Sequence, residues 1–405
     1  MSDKKIKAMI ANTFLEVADA LETGQYGKKP VIGFASEGSE HGQDNIEEAM
    51  KIAEMKGLKA VLIEGEDLHK KMEEMLDSGE IDGAVTMHYP FPIGVSTVGK
   101  VITPGKGKPM YIATTTGTSD TDRISGMVKN AIYGIIAAKA DGVKNPTVGI
   151  ANIDGARQTE KALLKLAENG YDINFAESVR ADGGIVMRGN DLLGGTPDIM
   201  VMDSLTGNLM MKVFSSYTTG GNYESLGFGY GPGVGEGYDR LIMIVSRASG
   251  APVIAGAMEF ATNLVRHDWK KVADEEFEKA NEAGLKDIIN ELKSAGRKDA
   301  GAASEEVKMP PKEVVTSQIP GIEVMDLEDA VKALWKAGIY AESGMGCTGP
   351  IVLMSDANKD KAHEILKAAG YVRQPDTLAK IKPFIHKLYI FRARETSLSR
   401  GGKSE

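Results

Sequence analysis

A single cysteine, Cys347, lies in the run Gly344-Met345-Gly346-Cys347-Thr348-Gly349-Pro350, directly before the apolar segment Ile351-Val352-Leu353-Met354. Glycine adopts backbone angles that other residues avoid and leaves its N–H uncovered. A loop of this composition can present a thiol to solvent and aim N–H groups, those of Gly346, Thr348 and Gly349, at a developing oxyanion. Thioester chemistry needs a sulfur nucleophile and donors for the charge on the acyl oxygen. A turn that merely contains a buried, inert cysteine needs neither. The glycines alone do not separate the two. One cysteine excludes an internal disulfide.

Three polar stretches each follow a short apolar run. Asp203-Ser204-Leu205-Thr206-Gly207-Asn208 precedes a helix that the pattern starts at Leu209. Open α/β sheets bind ligands at the C-terminal ends of parallel strands, and free N–H groups at the next helix favour an anion. Ser204, Thr206 and Asn208 add side-chain donors, although the same residue types make ordinary helix caps. Ala113-Thr114-Thr115-Thr116-Gly117-Thr118-Ser119-Asp120-Thr121-Asp122-Arg123 has the same placement. Its hydroxyls and guanidinium suit phosphate oxygens, or serve a polar loop that caps the next helix. Asn152-Ile153-Asp154-Gly155-Ala156-Arg157 would line the same rim. Gly227 to Gly237 has glycine at every other position. No buried strand precedes it, so it is no dinucleotide turn; it reads as a mobile loop over a site or a flexible connection. The histidines at 41, 69, 88, 267, 363 and 386 make no metal-ligand spacing, though His41 and His88 fall near strand ends and could reach the rim.

These stretches need elements to hold them. Apolar strands at 30–35, 60–63, 83–87, 109–113, 147–151 and 198–202 alternate with amphipathic helices at 44–55, 68–76, 124–140 and 159–169. That rhythm predicts a mostly parallel sheet covered on both faces. A helix over the first 20 residues precedes it, a further apolar segment spans 253–260, and a charged helix covers 269–293. Residues 294–313 are small, polar and proline-bearing and read as a linker. Helices at 327–337 and 359–369 around a strand at 351–354 predict a small α/β module that carries Cys347. The basic segment 373–405 reads as a peripheral tail.

The chain has 405 residues, 42% hydrophobic and 26% charged, with a net charge of −9. The length predicts more than one domain, and the charge argues against a nucleic-acid surface. No apolar run approaches the roughly 20 residues of a spanning helix, and the N-terminal stretch has no signal-peptide core; the reading is cytoplasmic.

The blocks Asn145-Pro146-Thr147-Val148-Gly149-Ile150-Ala151-Asn152-Ile153, Gly189-Asn190-Asp191-Leu192-Leu193 and Asp198 to Asn208 resemble the fatty-acid/phospholipid phosphate acyltransferase family. The resemblance implies a three-layer α/β/α sandwich related to the isocitrate dehydrogenase scaffold. Two departures stand out: Glu37-Gly38-Ser39-Glu40-His41-Gly42 replaces the family's early Gly-Gly-Asp motif, and a module follows Pro311. Met345-Gly346-Cys347-Thr348-Gly349-Pro350 in such a module resembles the alpha subunits of component C of glycine/sarcosine/betaine reductase. Together with the linker reading, the chain divides into a body over 1–293, a linker over 294–313 and a cysteine module over 314–372, and the resemblance reaches to about Tyr371. It also implies that an acetyl group, derived from a carboxymethylated selenoprotein component A, is carried as a thioester on Cys347 and released by phosphate as acetyl phosphate. Inorganic phosphate and a ketoacyl synthase-like beta subunit would be partners, with neither cofactor nor metal. The phosphate set inferred from the rim is Thr115, Thr116, Arg123, Ser204, Thr206, Gly207 and Asn208; the oxyanion set is Gly346, Thr348 and Gly349. The rival readings are a free-standing phosphate acyltransferase using coenzyme A or carrier-protein thioesters, a non-catalytic assembly subunit, and, distantly, a dehydrogenase.

Overall fold

The computed structural model describes residues 7, 13–14, 17–18, 21, 29–180, 183–301, 307–322, 326–346 and 349–372. Cys347, Thr348 and the tail 373–405 lie outside these residues. The chain divides into two compact units, Met1–Ala295 and Gly296–Glu405.

The first unit runs β1 (Val31–Ala35), α1 (Gly42–Met55), β2 (Lys59–Ile63), α2 (Leu68–Asp77), β3 (Gly83–Thr86), β4 (Ser96–Ile102), β5 (Pro109–Gly117), α3 (Arg123–Ala140), β6 (Thr147–Ala151), α4 (Ala156–Glu168), β7 (Asn174–Phe175), β8 (Val186–Met187), α5 (Gly189–Gly194), β9 (Ile199–Val201), α6 (Ser204–Ser216), β10 (Gly231–Val234), β11 (Ile242–Ile244), α7 (Ala251–Arg266), α8 (Trp269–Glu282) and α9 (Leu285–Gly301). The strands form one sheet in the order β2-β1-β3-β11-β10-β4-β5-β9-β6-β7, with β8 also on β6. It is the large, mostly parallel sheet flanked by helices that the alternating pattern implies. Strands of the parallel blocks such as β1 and β9 are continuous apolar runs because both faces are covered; all of Val31–Ala35 and Ile199–Val201 is buried. The helix α3 is apolar on nearly every side and is correspondingly buried. At its Gly134 a Cβ would come within 2.5 Å of Ile199 Cγ2, so the helix lies directly on β9.

The alternation did not predict β4 and β10. Strand β10 is antiparallel to β11 and to β4, and β4 is antiparallel to β5. These antiparallel steps reverse the chain direction between the blocks. The C-terminal ends of β1, β3 and β11 therefore point to one edge of the sheet, and those of β5, β9 and β6 to the other.

Several local readings are corrected. The glycine run is not a mobile loop: Gly231–Val234 is buried strand β10. A Cβ at Gly231 would fall 1.7 Å from the Val98 carbonyl oxygen, and one at Gly233 would fall 2.3 Å from Phe91. Alternate glycines thus let a strand pass between close neighbours. Thr114 to Gly117 are not loop but the end of β5, beside an irregularity at Thr97/Val98. The helix read from Leu209 begins at Ser204, because Asp203 caps it. The charged helix over 269–293 is two, separated by Gly284 at φ +85°. The second, α9, continues to Gly301, into the stretch read as linker.

The second unit contains β12 (Ser317–Pro320), α10 (Leu327–Lys336), β13 (Ala341–Gly346), β14 (Gly349–Met354) and α11 (Lys359–Ala368). Its antiparallel sheet has the order β12-β14-β13. Ile319, Val331, Leu334, Val352, Met354 and Leu366 share its core. Among the described residues, no helix is long and apolar enough to cross a membrane.

Candidate functional site

The helix α6 organises the surface where the predicted phosphate residues gather. Residues advance about 100° each around a helix, and α6 uses every side differently. Gly207, Met211 and Phe214 are buried. A Cβ on Gly207 would lie 1.8 Å from the Thr114 carbonyl oxygen, so this glycine is what lets α6 press onto β5. Leu205, Leu209 and Val213 face outward. Thr206 and Met210 line one flank; Asn208 and Lys212 line the other.

The helix N-terminus is occupied by its own cap. Asp203 Oδ1 accepts the N–H groups of Leu205 and Thr206 at 3.1 and 3.0 Å, and Oδ2 accepts the Thr206 hydroxyl at 2.8 Å. The Gly207 N–H is spent on the Asp203 carbonyl. Arg123 bridges Asp154 and Asp203, at 2.9 and 3.0 Å. Burial alone would raise the Asp203 carboxyl, but the Thr206 and Arg123 donors outweigh it and hold it below the usual carboxylate range. One cation between two carboxylates leaves this corner negative, which disfavours an anion. Thr115 is fully buried, and its hydroxyl lies 2.7 Å from both Thr97 Oγ1 and the Tyr230 carbonyl oxygen. These placements remove Arg123, Thr115 and Gly207 from the anion-facing set. Ser204 is half-buried, and its hydroxyl has no hydrogen-bond partner among the described residues.

The other flank of α6 differs. A cleft of about 320 Å³ is lined by Thr116, Asn208, Lys212, His88, Ser246 and Arg247, with Glu40 at its wall. Among the described residues, the Asn208 amide and the Thr116 hydroxyl have no hydrogen-bond partner and the Arg247 guanidinium has no ion pair. Arg247 is seated by the turn after β1: the Glu40 N–H donates to its carbonyl at 2.9 Å. Gly38, at φ +92°, faces it where a Cβ would fall 2.9 Å from Nε. The Glu37 to Gly42 stretch, noted in the sequence only as a departure, thus builds the cleft wall. His88 reaches the cleft; His41 instead hydrogen-bonds the Ala248 carbonyl oxygen at 3.1 Å. Lys212 was legible in principle, one helical turn after Asn208 on the same flank. Arg247 was not, because β11 reaches this place only through its pairing with β3 and β10.

On the Thr206 flank lies a second groove of about 320 Å³, lined by Met187, Met200, Met202, Met210, Ile153 and Leu192 among others. Asn152 reaches that groove, whereas Arg157 pairs with Glu160 at 2.7 Å.

In the second unit, the stretch read as a glycine-rich loop is largely a hairpin. Gly344, Met345 and Gly346 pair with Ile351, Pro350 and Gly349. The predicted nucleophile Cys347 and the donor Thr348 are outside the described residues; their neighbours Gly346 and Gly349 form the last described pair of the ladder.

The family model for fatty acid synthesis proteins matches residues 17–353. The chain is 58% identical over 388 residues to the glycine/sarcosine/betaine reductase complex component C subunit alpha of Peptoclostridium acidaminophilum, covering 92% of this chain and 100% of the relative. It is 27% identical over 163 residues to the phosphate acyltransferase of Staphylococcus epidermidis, covering 35% of this chain and 47% of the relative. It is 26% identical over 226 residues to that of Caulobacter vibrioides, covering 47% and 56%. With the model spanning most of its length and an α/β body of the implied type, the chain belongs to the fatty acid synthesis protein family, the phosphate acyltransferase-like group.

Proposed function

We propose that the chain is the acetyl-transfer subunit of an amino-acid reductase complex, and that it releases an acetyl group from a Cys347 thioester to inorganic phosphate. The observation that carries this is the 58% identity that extends over the full length of a component C alpha subunit and 92% of this chain. The phosphate is assigned to the cleft beside α6, a revision of the rim set. Lys212 and Arg247 supply the positive charge there, and Asn208 and Thr116 supply neutral donors. Arg247 can meet a phosphate with paired N–H groups. In the reaction a phosphate oxygen attacks the thioester carbonyl carbon, the C–S bond breaks, and the sulfur leaves with the electron pair as the Cys347 thiolate. The donors Gly346, Thr348 and Gly349 are proposed to hold the intermediate oxyanion. The acetyl group is proposed to derive from a carboxymethylated selenoprotein, with a ketoacyl synthase-like subunit as partner.

The test is the intact mass of the chain after incubation with acetyl phosphate, the reaction run backwards. A gain of one acetyl group, mapped to Cys347 and absent from Cys347→Ser, supports the covalent route, since a hydroxyl is a far poorer nucleophile near neutral pH. Undiminished acetyl-phosphate turnover by Cys347→Ser would refute it and leave direct transfer, as in a free-standing phosphate acyltransferase.

A further inference from the structure

Behind the cleft lies a charged group that the proposed reaction does not use. Glu224 is only 3% exposed. Its backbone is fixed on both sides: its N–H donates to the Ala248 carbonyl oxygen at 3.1 Å, and its carbonyl oxygen accepts the Gly250 N–H at 2.8 Å. The carboxylate is fixed as well. Oε1 accepts the Tyr230 hydroxyl at 2.8 Å and Oε2 accepts the Ser249 hydroxyl at 2.8 Å. Burial and the adjacent carboxylate push the Tyr230 phenol well up, so it remains a donor. Two neutral donors do not balance a buried negative charge, which needs a cation. The ammonium that faces it is Lys212, with Nζ 3.6 Å from Glu224 Oε1 and 3.5 Å from Ser246 Oγ, and 5.7 Å from the centre of the Tyr230 ring.

We propose that Glu224 is a positioning residue for the cleft: through its carboxylate it sets where the Lys212 ammonium stands, and thereby the affinity for phosphate. This rests on the reading of the cleft as the phosphate site. Lysine has a long stem whose rotamers must be frozen when it binds an anion. The Lys212 side chain is 53% exposed, so packing alone does not fix it. A carboxylate anchored at backbone and side chain does so before the ligand arrives, which lowers the ordering cost of binding. At 3.6 Å the pair is an ion pair without a tight hydrogen bond. With one ammonium donor directed at Ser246 Oγ, at 3.5 Å, the other two stay available to a ligand.

The experiment measures inorganic phosphate binding to the full chain by calorimetry in a double-mutant cycle. Lys212→Ala is expected to raise Kd about ten- to hundred-fold, the loss of one charged donor. Glu224→Asp keeps the charge but withdraws the carboxylate by one methylene. It is expected to raise Kd about ten-fold in the native background and to add nothing to Lys212→Ala, because coupled residues are non-additive. If Glu224→Asp leaves Kd unchanged, or weakens binding equally with and without Lys212, Glu224 is only a tie between the loops and the inference is overturned. If Lys212→Ala itself leaves Kd unchanged, the reading of the cleft fails first, and the inference with it. Thermal melts accompany each variant. Should Glu224→Asp not fold, the near-isosteric Glu224→Gln takes its place in the same cycle, with the same outcomes deciding.

Discussion

Replacing Gly207 with alanine probes the contact on which the site is built. A Cβ there would lie 1.8 Å from the Thr114 carbonyl oxygen and 2.8 Å from its carbonyl carbon, whereas real Cβ atoms essentially never come within 3.0 Å of such an atom. The obstacle is backbone. Thr114 is held in place by its N–H bond to the Met202 carbonyl oxygen, at 3.1 Å. No side-chain rotation relieves the clash, so α6 must lift off β5 by more than an ångström. Alanine also gains helix propensity over glycine, about 1 kcal/mol. Overpacking costs about 1–3 kcal/mol where side chains can adjust and more where they cannot. The net expectation is a loss of about 2–3 kcal/mol, taking the steric term at its upper end or beyond. For a body of this size that is a fall in Tm of about 3–5 °C. Circular-dichroism melts measure it, with Gly189→Ala as the control. Gly189 is the first residue of α5 and has nothing within 4 Å of the added Cβ; its Tm should hardly move. A Gly207→Ala chain that melts at or above the native temperature would refute the argument that this glycine sets the seat of α6.

Other outcomes follow from the same structure. Burial would raise the Asp120 carboxyl, but Lys129, Lys293 and the Asp122 N–H hold it down to about 2. Its folded value lies below the unfolded value of about 3.9, so its contribution of about 2 kcal/mol is present above pH ~4 and is lost as pH falls through about 2. Urea unfolding of Asp120→Asn should show that deficit at pH 7 and little difference from the native chain near pH 2. Thr115→Val leaves the buried Tyr230 carbonyl short of a donor and should cost about 1–3 kcal/mol in urea unfolding while phosphate affinity is unchanged; weaker phosphate binding would return Thr115 to the site. By calorimetry, Arg247→Ala should weaken phosphate binding about ten- to hundred-fold, and Arg123→Ala should not change it; the reverse pattern would place the anion at the start of α6.

The alternation of apolar runs and amphipathic helices was enough to locate most of the strands and helices of the parallel blocks, since burial on both faces requires just such runs. It was silent on β4 and β10. Their residues, Ser96 and Thr97 in one and Gly231 and Gly233 in the other, do not look like core, because they bring no large apolar side chain of their own and are buried by neighbours such as the Val98 carbonyl oxygen and the Phe91 ring. The glycine run was read as mobile for the same reason: composition registers missing side chains, not the neighbours that require their absence.

For the site, the sequence by itself determined which residue types stand on the turns before α3, α4 and α6, and it marked Asn208 and Thr116. It also set the lone cysteine, Cys347, in a glycine-rich stretch. The tertiary structure alone decided which of these groups are spent. Asp203 consumes the first donors of α6, Asp154 and Asp203 neutralise Arg123, and Tyr230 and Thr97 take up Thr115. It likewise decided that Arg247 and the buried Glu224, far from α6 in the chain or without a motif of their own, stand at its flank. Sequence spacing fixes neighbours within one helix turn or one strand. Whether a polar group is free for a ligand depends on partners brought by strand pairing, and pairing is a property of the whole sheet.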